Sequence, residues 1–188
     1  MNITILGNGH LAQAVGKNLA LGQNQVSYIT HENDRSLADL VIFAVPFTAI
    51  DDIISRYQQQ LAGKIIIDAT NPLDFQTWQP LVPADSSSAA ILAQKLPEST
   101  VLKAFNTTTA ASLQAGRLSN GQPAQVLVAG DDEAAKQTLT SLLAASPLKV
   151  VNVGGLSRAR ELEALGLLEL SMAFQKQLPM DGGFLIVK

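Results

Sequence analysis

The run Asn2-Ile3-Thr4-Ile5-Leu6-Gly7-Asn8-Gly9-His10-Leu11-Ala12 decides the architecture. Asn2–Leu6 is apolar and β-branched, as a strand requires, and Leu11–Leu21 carries Leu11, Val15 and Leu19 on one helical face. Between them Gly7-x-Gly9-x-x-Ala12 fills the strand-to-helix turn. In such a turn Gly7 permits the tight reversal, Gly9 lets backbone approach a pyrophosphate, and Ala12 allows close packing of helix on sheet. The helix N-terminus adds unpaired N–H groups and the positive end of its dipole. The turn therefore points to dinucleotide binding through Gly7, Asn8, Gly9, His10 and Leu11, with an empty structural turn as the alternative reading.

Working outward, short β-rich runs alternate with helix-length segments. Gln25–Thr30, Leu40–Val45, Lys64–Asp68, Thr100–Phe105, Gln125–Ala129 and Leu148–Val153 read as strands. Helices are expected from about Thr48 to Gln60, with Ile50, Ile53, Ile54 and Tyr57 as the buried stripe, and over Ser86–Lys95, Asp131–Ala145 and Ser157–Gln177. The almost wholly apolar Leu40–Val45 suits a strand covered on both faces. This alternation predicts a doubly wound α/β architecture with a mainly parallel sheet in one domain over residues 1–188. Only about nine residues separate Thr30 from Leu40, so the helix usual at that crossover has no room. The segment Asn71–Asp85, with Pro72, Pro80 and Pro83, is long for a connection in a compact domain, and such loops are often functional.

Composition narrows the function classes. The 188 residues hold 13 basic and 16 acidic side chains, a net charge of −3, with no basic block, so nucleic acid is not an expected partner. With 47% hydrophobic residues the chain can build a core of its own. The absence of cysteine removes disulfides, thiolate metal sites and a cysteine nucleophile, and two histidines, His10 and His31, are too few for a histidine-built metal centre. No apolar stretch reaches the ~18 residues of a membrane span, and no basic leader opens the chain, so a cytoplasmic location without membrane contact is expected.

The end of the second strand bears on which nucleotide binds. Binders of NAD, and of S-adenosylmethionine, favour an acid there to hold ribose hydroxyls. Here Thr30 and His31 end the strand, and Glu32 follows them. Thr30, His31 and Arg35 are placed to donate to a 2′-phosphate, which tilts the reading towards NADP. Glu32 or Asp34 holding a ribose is the alternative.

Taken together, Gly7–Ala12, Ala44-Val45-Pro46, Ile67-Asp68-Ala69-Thr70-Asn71-Pro72-Leu73, Lys103-Ala104-Phe105-Asn106-Thr107, Ala129-Gly130-Asp131-Asp132 and Arg158-Ala159-Arg160-Glu161-Leu162-Glu163 resemble the NADP oxidoreductase family dependent on the deazaflavin coenzyme F420. The resemblance covers nearly the whole chain. It implies a Rossmann fold, NADP(H) as hydride carrier, a flavin, deazaflavin or similar planar small molecule as acceptor, and a homodimer built partly through the C-terminal helix. Carried onto this sequence, it places Ala44, Val45 and Pro46 beside the cofactor, Ala69, Thr70, Asn71 and Pro72 near the nicotinamide, and Asn106 facing the reacting rings. The family usually has a Ser-Arg-like pair where Thr30-His31 stands.

Hydride transfer between stacked rings relies on orientation and needs neither nucleophile nor metal. That agrees with a sequence in which no acid/base residue stands out: Tyr57 lies on a buried helix face and Tyr28 within a strand. Trp78 either covers the acceptor or anchors its loop, the second being the default. Ser86-Ser87-Ser88 reads as a helix N-cap region. Arg158 and Arg160 are expected to form solvated pairs with Glu161 and Glu163, three residues on. Apolar residues on more than one face of the last helix, among them Leu168 and Phe174, suggest a partner chain. A nucleotide-bound sensor without turnover and a flavin-relayed metal reductase are the rival functions.

Overall fold

A computed structural model describes residues 1–31, 33 and 35–187. Seven strands form one sheet in the order β2-β1-β3-β4-β5-β6-β7: β1 (Asn2–Leu6), β2 (Gln25–Ile29), β3 (Leu40–Phe43), β4 (Ile65–Asp68), β5 (Thr100–Lys103), β6 (Gln125–Ala129) and β7 (Lys149–Gly154). Pairing is parallel throughout except between β5 and β6. The sheet is thus the doubly wound, mainly parallel one expected. Helices α1 (His10–Ala20), α2 (Ile50–Leu61), α3 (Ser88–Lys95), α4 (Ala110–Ala115), α5 (Glu133–Leu142) and α6 (Ala159–Phe174) surround it.

The strand side chains alternate between two cores, as a period of two demands. On β3, Leu40 and Ile42 join α1 and α5 residues such as Val15, Leu19 and Leu139. Val41 and Phe43 face the opposite way, onto Ile53 and Tyr57 of α2 and Leu92 of α3. Both faces of β3 are buried, so its sequence, Leu40-Val41-Ile42-Phe43, runs apolar without interruption.

Two features depart from the sequence expectation. The short helix α4, capped by the Thr109 hydroxyl and ended by Gly116 in the left-handed region, has too weak an apolar period over six residues to be read in advance. The β5–β6 connection is not a crossover: the two strands meet antiparallel through their last residues, Lys103 opposite Ala129. That pairing brings the end of β7 and the start of α6 to the carboxyl end of β5. Of the two aspartates that precede α5, Asp132 is its cap, accepting from the Ala135 N–H at 2.8 Å, and Asp131 accepts from Leu156 N–H at 2.8 Å and holds the entry to α6. Among the described residues no helix separates β2 from β3, as the short spacing requires.

Candidate functional site

The chain leaves β1 on one side for β2 and returns on the other for β3, and ligands of open α/β sheets bind outside the carboxyl ends at such a switch. A cleft of about 300 Å³ opens there. Gly7, Asn8, Gly9, Thr30, His31, Ala44, Val45 and Pro46 all line it, so eight of the residues picked from the sequence converge on one place.

Each glycine has a distinct task. Gly7 has φ +105°, and a Cβ on it would stand 2.3 Å from the Ala44 carbonyl oxygen, so β3 excludes any side chain. A Cβ on Gly9 would meet nothing within 4 Å, so the space in front of Gly9 is open for a ligand. Gly9 is also the N-cap of α1 and supplies no side-chain acceptor; the first ladder bond is Gln13 N–H to Gly9 C=O at 3.0 Å. The amides of the first turn therefore have no capping side chain, and an anion at this end of α1 could accept from them. His10 and Asn8 are exposed and Leu11 is half-buried, with Asn8 in contact with the Gln13 amide.

Beyond β2, the Thr30 N–H donates to Asn33 Oδ1 at 2.7 Å and Asn33 Nδ2 to Tyr28 C=O at 3.4 Å. Asn33 thereby fixes the turn that presents His31 to the cleft. Arg35 is exposed and does not line the cleft. Arg56 does, together with Ile53 and Tyr57 of α2 and Ala49 just before it, and its guanidinium lies 5.5 Å from the Tyr57 ring centroid. With no helix between β2 and β3 among the described residues, α2 borders this side of the cleft. The sequence reading used only the apolar stripe of α2 and passed over the cation beside it. Glu32 and Asp34, the alternative ribose ligands, lie outside the described residues.

Ala69, Thr70 and Pro72 are buried at the end of β4, with Ala69 N–H held by Phe43 C=O at 3.1 Å. Asn71 is half-buried and faces a second pocket of about 140 Å³. The other walls are Pro72, Leu73, Pro80, Val82, Pro83, Ala84 and Ser86 of the long loop, and Arg160, Glu163, Ala164 and Leu167 of α6. The proline-rich loop is thus a pocket wall. Trp78 does not line this pocket. It stacks at 5.0 Å on Phe174, at the end of α6, and edge-on to Phe75 at 6.3 Å, which is the anchoring role.

Asn71 and Asn106 bond to each other. Asn71 Nδ2 donates to the Asn106 carbonyl at 3.1 Å, and Asn106 Nδ2 donates to Asn71 Oδ1 at 3.0 Å and to Leu162 C=O at 2.9 Å. Gly166 seats α6 on this pair, since a Cβ there would stand 2.6 Å from the Asn106 oxygen. Asn106 is buried under α6, and Phe105, fully buried at φ +68°, turns it there. The structure therefore separates the two: Asn71 reaches a pocket, while Asn106 clamps the helix that covers it.

Beneath Asn71 lies a buried ionic cluster that the sequence reading did not assemble. Lys103 Nζ is 2.9 Å from Asp68 Oδ2, 2.7 Å from Glu163 Oε1 and 2.6 Å from the Thr70 carbonyl. Asp68 Oδ1 accepts the Thr70 N–H and hydroxyl, and Asp68 Oδ2 contacts the Ser88 hydroxyl. Ser88 N–H donates to Glu163 Oε2 at 3.1 Å. Ser87 is the N-cap of α3, as expected, but Ser88 belongs to this cluster. Burial pushes the Glu163 carboxyl above its ordinary range, against the pull of Lys103. The expected solvated Arg160–Glu163 pair is thus corrected: Glu163 turns inward, and Arg160 pairs with its neighbour Glu161 at 2.8 Å and lowers its pKa. Asp68, Lys103 and Glu163 each sit inside a quoted motif, and their separation in sequence by 35 and 60 positions hid their contact.

The family described as NADP oxidoreductase, coenzyme F420-dependent, matches residues 29–72, from the end of β2 through Pro72. The chain is 31% identical to the F420-dependent NADP reductase of Methanocaldococcus jannaschii over 132 residues, which are 68% of this chain and 58% of that one. It is 34% identical to metalloreductase STEAP3 of Rattus norvegicus over 142 residues, 76% of this chain and 28% of that one. The chain thus spans from about a quarter to rather more than half of the length of these relatives. Among solved structures, a proposed F420-dependent NADP reductase from Arthrobacter sp. FB24 superposes over the full length of both chains with a TM-score of 0.83 at 25% identity. The fold defines the class, a Rossmann-type α/β domain. In sequence the chain is similar to the NADP oxidoreductases dependent on coenzyme F420, through residues 29–72 and through the Methanocaldococcus jannaschii reductase.

Proposed function

We propose that this protein binds NADP(H) and transfers hydride between NADPH and a flavin, a deazaflavin or a similar planar acceptor. The observation that carries the reading is the pair of glycines at the switch point: one excluded from bearing a side chain by β3, the other open onto a cleft at an uncapped helix N-terminus. The diphosphate would lie against Gly7–Leu11. The adenosine 2′-phosphate would meet Thr30, His31 and Arg56, and the nicotinamide would lie towards Ala69–Asn71. The second pocket, walled partly by Asn71, is the place for the acceptor. Calorimetric titration with NADPH, NADP and NADH, followed by NADPH oxidation assays with FMN, FAD and coenzyme F420, tests the reading. Binding together with oxidation by one acceptor supports it; binding with no oxidation by any acceptor turns the protein into a nucleotide-bound sensor.

The likeness to STEAP3, named a metalloreductase, favours a second reading in which a bound flavin relays electrons to a metal ion. Flavin absorbance in the purified protein and NADPH-dependent ferric reduction distinguish it. We further propose a homodimer along α6. Phe174 at the end of α6 and Phe75 of the loop are exposed apolar side chains packed against Trp78, and such a patch suits a second copy. Light scattering should give twice the chain mass; a monomer would remove the proposal.

A further inference from the structure

Two carboxylates and one ammonium make an unbalanced buried set. Lys103 is the single cation between Asp68 and Glu163, and all three are at most 7% exposed. Asp68 is well provided for as an anion, with the Thr70 N–H, the Thr70 hydroxyl, the Ser88 hydroxyl and Lys103 all directed at it. Glu163 has less. Its Oε2 accepts the Ser88 N–H, while its Oε1 lies 2.7 Å from Lys103 Nζ without an aligned hydrogen bond from any described residue. Where two buried acids share one cation, the acid with fewer donors to its charged form takes the proton. That acid also lines a pocket: Glu163 is the only carboxyl-bearing residue among the described residues lining the space beside Asn71, whose remaining walls are chiefly proline, leucine, valine and alanine. Arg160, at the pocket rim and exposed, donates to the Ala84 carbonyl at 3.2 Å and to Glu161.

We propose that Glu163 is the proton donor to the acceptor in this pocket. The inference rests on the hydride-transfer reading above. In the step, the C4–H bond of the dihydronicotinamide breaks and carries its electron pair to the acceptor, forming a new C–H or N–H bond. The displaced π electrons settle on a ring nitrogen or carbonyl oxygen of the acceptor, and the Glu163 O–H delivers its proton there. Glu163 is left as a carboxylate beside Lys103 and regains a proton from solvent. NADPH, acceptor and one proton become NADP and the two-electron-reduced acceptor. The 140 Å³ pocket equals about five waters in volume, so it admits one ring or edge of a planar acceptor and leaves the rest outside. The ligand class follows: a conjugated ring whose leading edge carries a carbonyl or imine nitrogen.

The test compares wild type, Glu163→Gln and Glu163→Asp, with FMN and coenzyme F420 as acceptors. Wild-type kcat should fall as pH rises through one ionisation above the ordinary carboxylate range. Glu163→Gln should lose about 100-fold in kcat with a flat profile, as removal of a general acid does. Its NADPH Kd should stay within about twofold, and Glu163→Asp should recover most of the rate. Independently of turnover, infrared titration of the unliganded protein should show a protonated-carboxyl stretch persisting above the ordinary range and missing from Glu163→Gln. Wild-type kcat and pH profile in Glu163→Gln, or no such stretch, overturns the proton role alone. A wild type that binds NADPH and reduces neither acceptor defeats the hydride reading, and the proton role falls with it.

Discussion

At the scale of single residues, Gly9 discriminates ligand binding from turn architecture better than Gly7 does. Any residue at Gly7 collides with Ala44 and strains the backbone, so its loss damages the fold whether or not a nucleotide binds. Gly9 has ordinary extended dihedrals and empty space before it. Gly9→Val should therefore leave circular dichroism and the melting curve nearly unchanged while abolishing NADPH binding; retained affinity would remove the diphosphate from this loop. The same reasoning separates two arginines. Arg56→Ala should weaken NADP binding by about tenfold or more, a charged hydrogen bond being worth roughly 1.5–3 kcal/mol, and leave NAD nearly unaffected. Arg35→Ala, away from the cleft, should change neither in calorimetric titrations. The glycine loop was legible because its signal is local: a strand, a turn and a helix in eleven residues. Arg56 was not, because its relevance depends on which helix borders β2 once the β2–β3 crossover is shortened.

At the scale of elements, the long apolar or β-branched runs were easy to read, and the boundary errors are at the ends. Leu40–Val45 shortens to β3 (Leu40–Phe43) because Ala44-Val45-Pro46 leaves the ladder to line the cleft. α6 was legible as a helix, but its inner face was not. Its buried residues Ala159, Leu162, Glu163, Gly166, Glu169 and Ala173 mix apolar, small and acidic types, so no apolar stripe marks it. What holds that face is the Lys103 cluster, which ties β4, β5, α3 and α6 together. Lys103→Met would leave two buried carboxyls without their cation. Breaking a buried pair in this way costs about 3–5 kcal/mol, and urea denaturation should show a loss of that order. Lys103→Met with wild-type stability would mean that the cluster contributes no net cohesion.

At the scale of the whole molecule, stability should depend on pH through a carboxyl far from the nucleotide cleft. Glu169 on α6 is 1% exposed, its Oε1 has no hydrogen-bond partner among the described residues, and the C-terminal segment covers it: a Cβ on Gly183 would stand 2.8 Å from that oxygen. That segment is itself held by the Thr109 hydroxyl on the Met180 carbonyl at 2.7 Å and the Ser112 hydroxyl on the Gly182 carbonyl at 3.0 Å. Burial pushes the Glu169 pKa up to about 8. The sign follows from comparing proton uptake in the two states. Below the ordinary carboxyl value, near 4.3, both states hold the proton and Glu169 costs nothing. Between that value and about 8, the unfolded chain ionises while the folded one keeps its proton, so stability falls as pH rises, by at most about 1.4 kcal/mol per pH unit. Above about 8 both states are ionised and the loss is complete. Glu169→Gln removes the ionisation and keeps the shape. Urea denaturation at pH 4 to 9 should find the variant close to wild type at the acid end and progressively more stable towards pH 8, with the gap constant beyond. Parallel curves for the two proteins would show that Glu169 ionises normally in the folded state, and with it that the C-terminal segment does not seal this side of α6 from water.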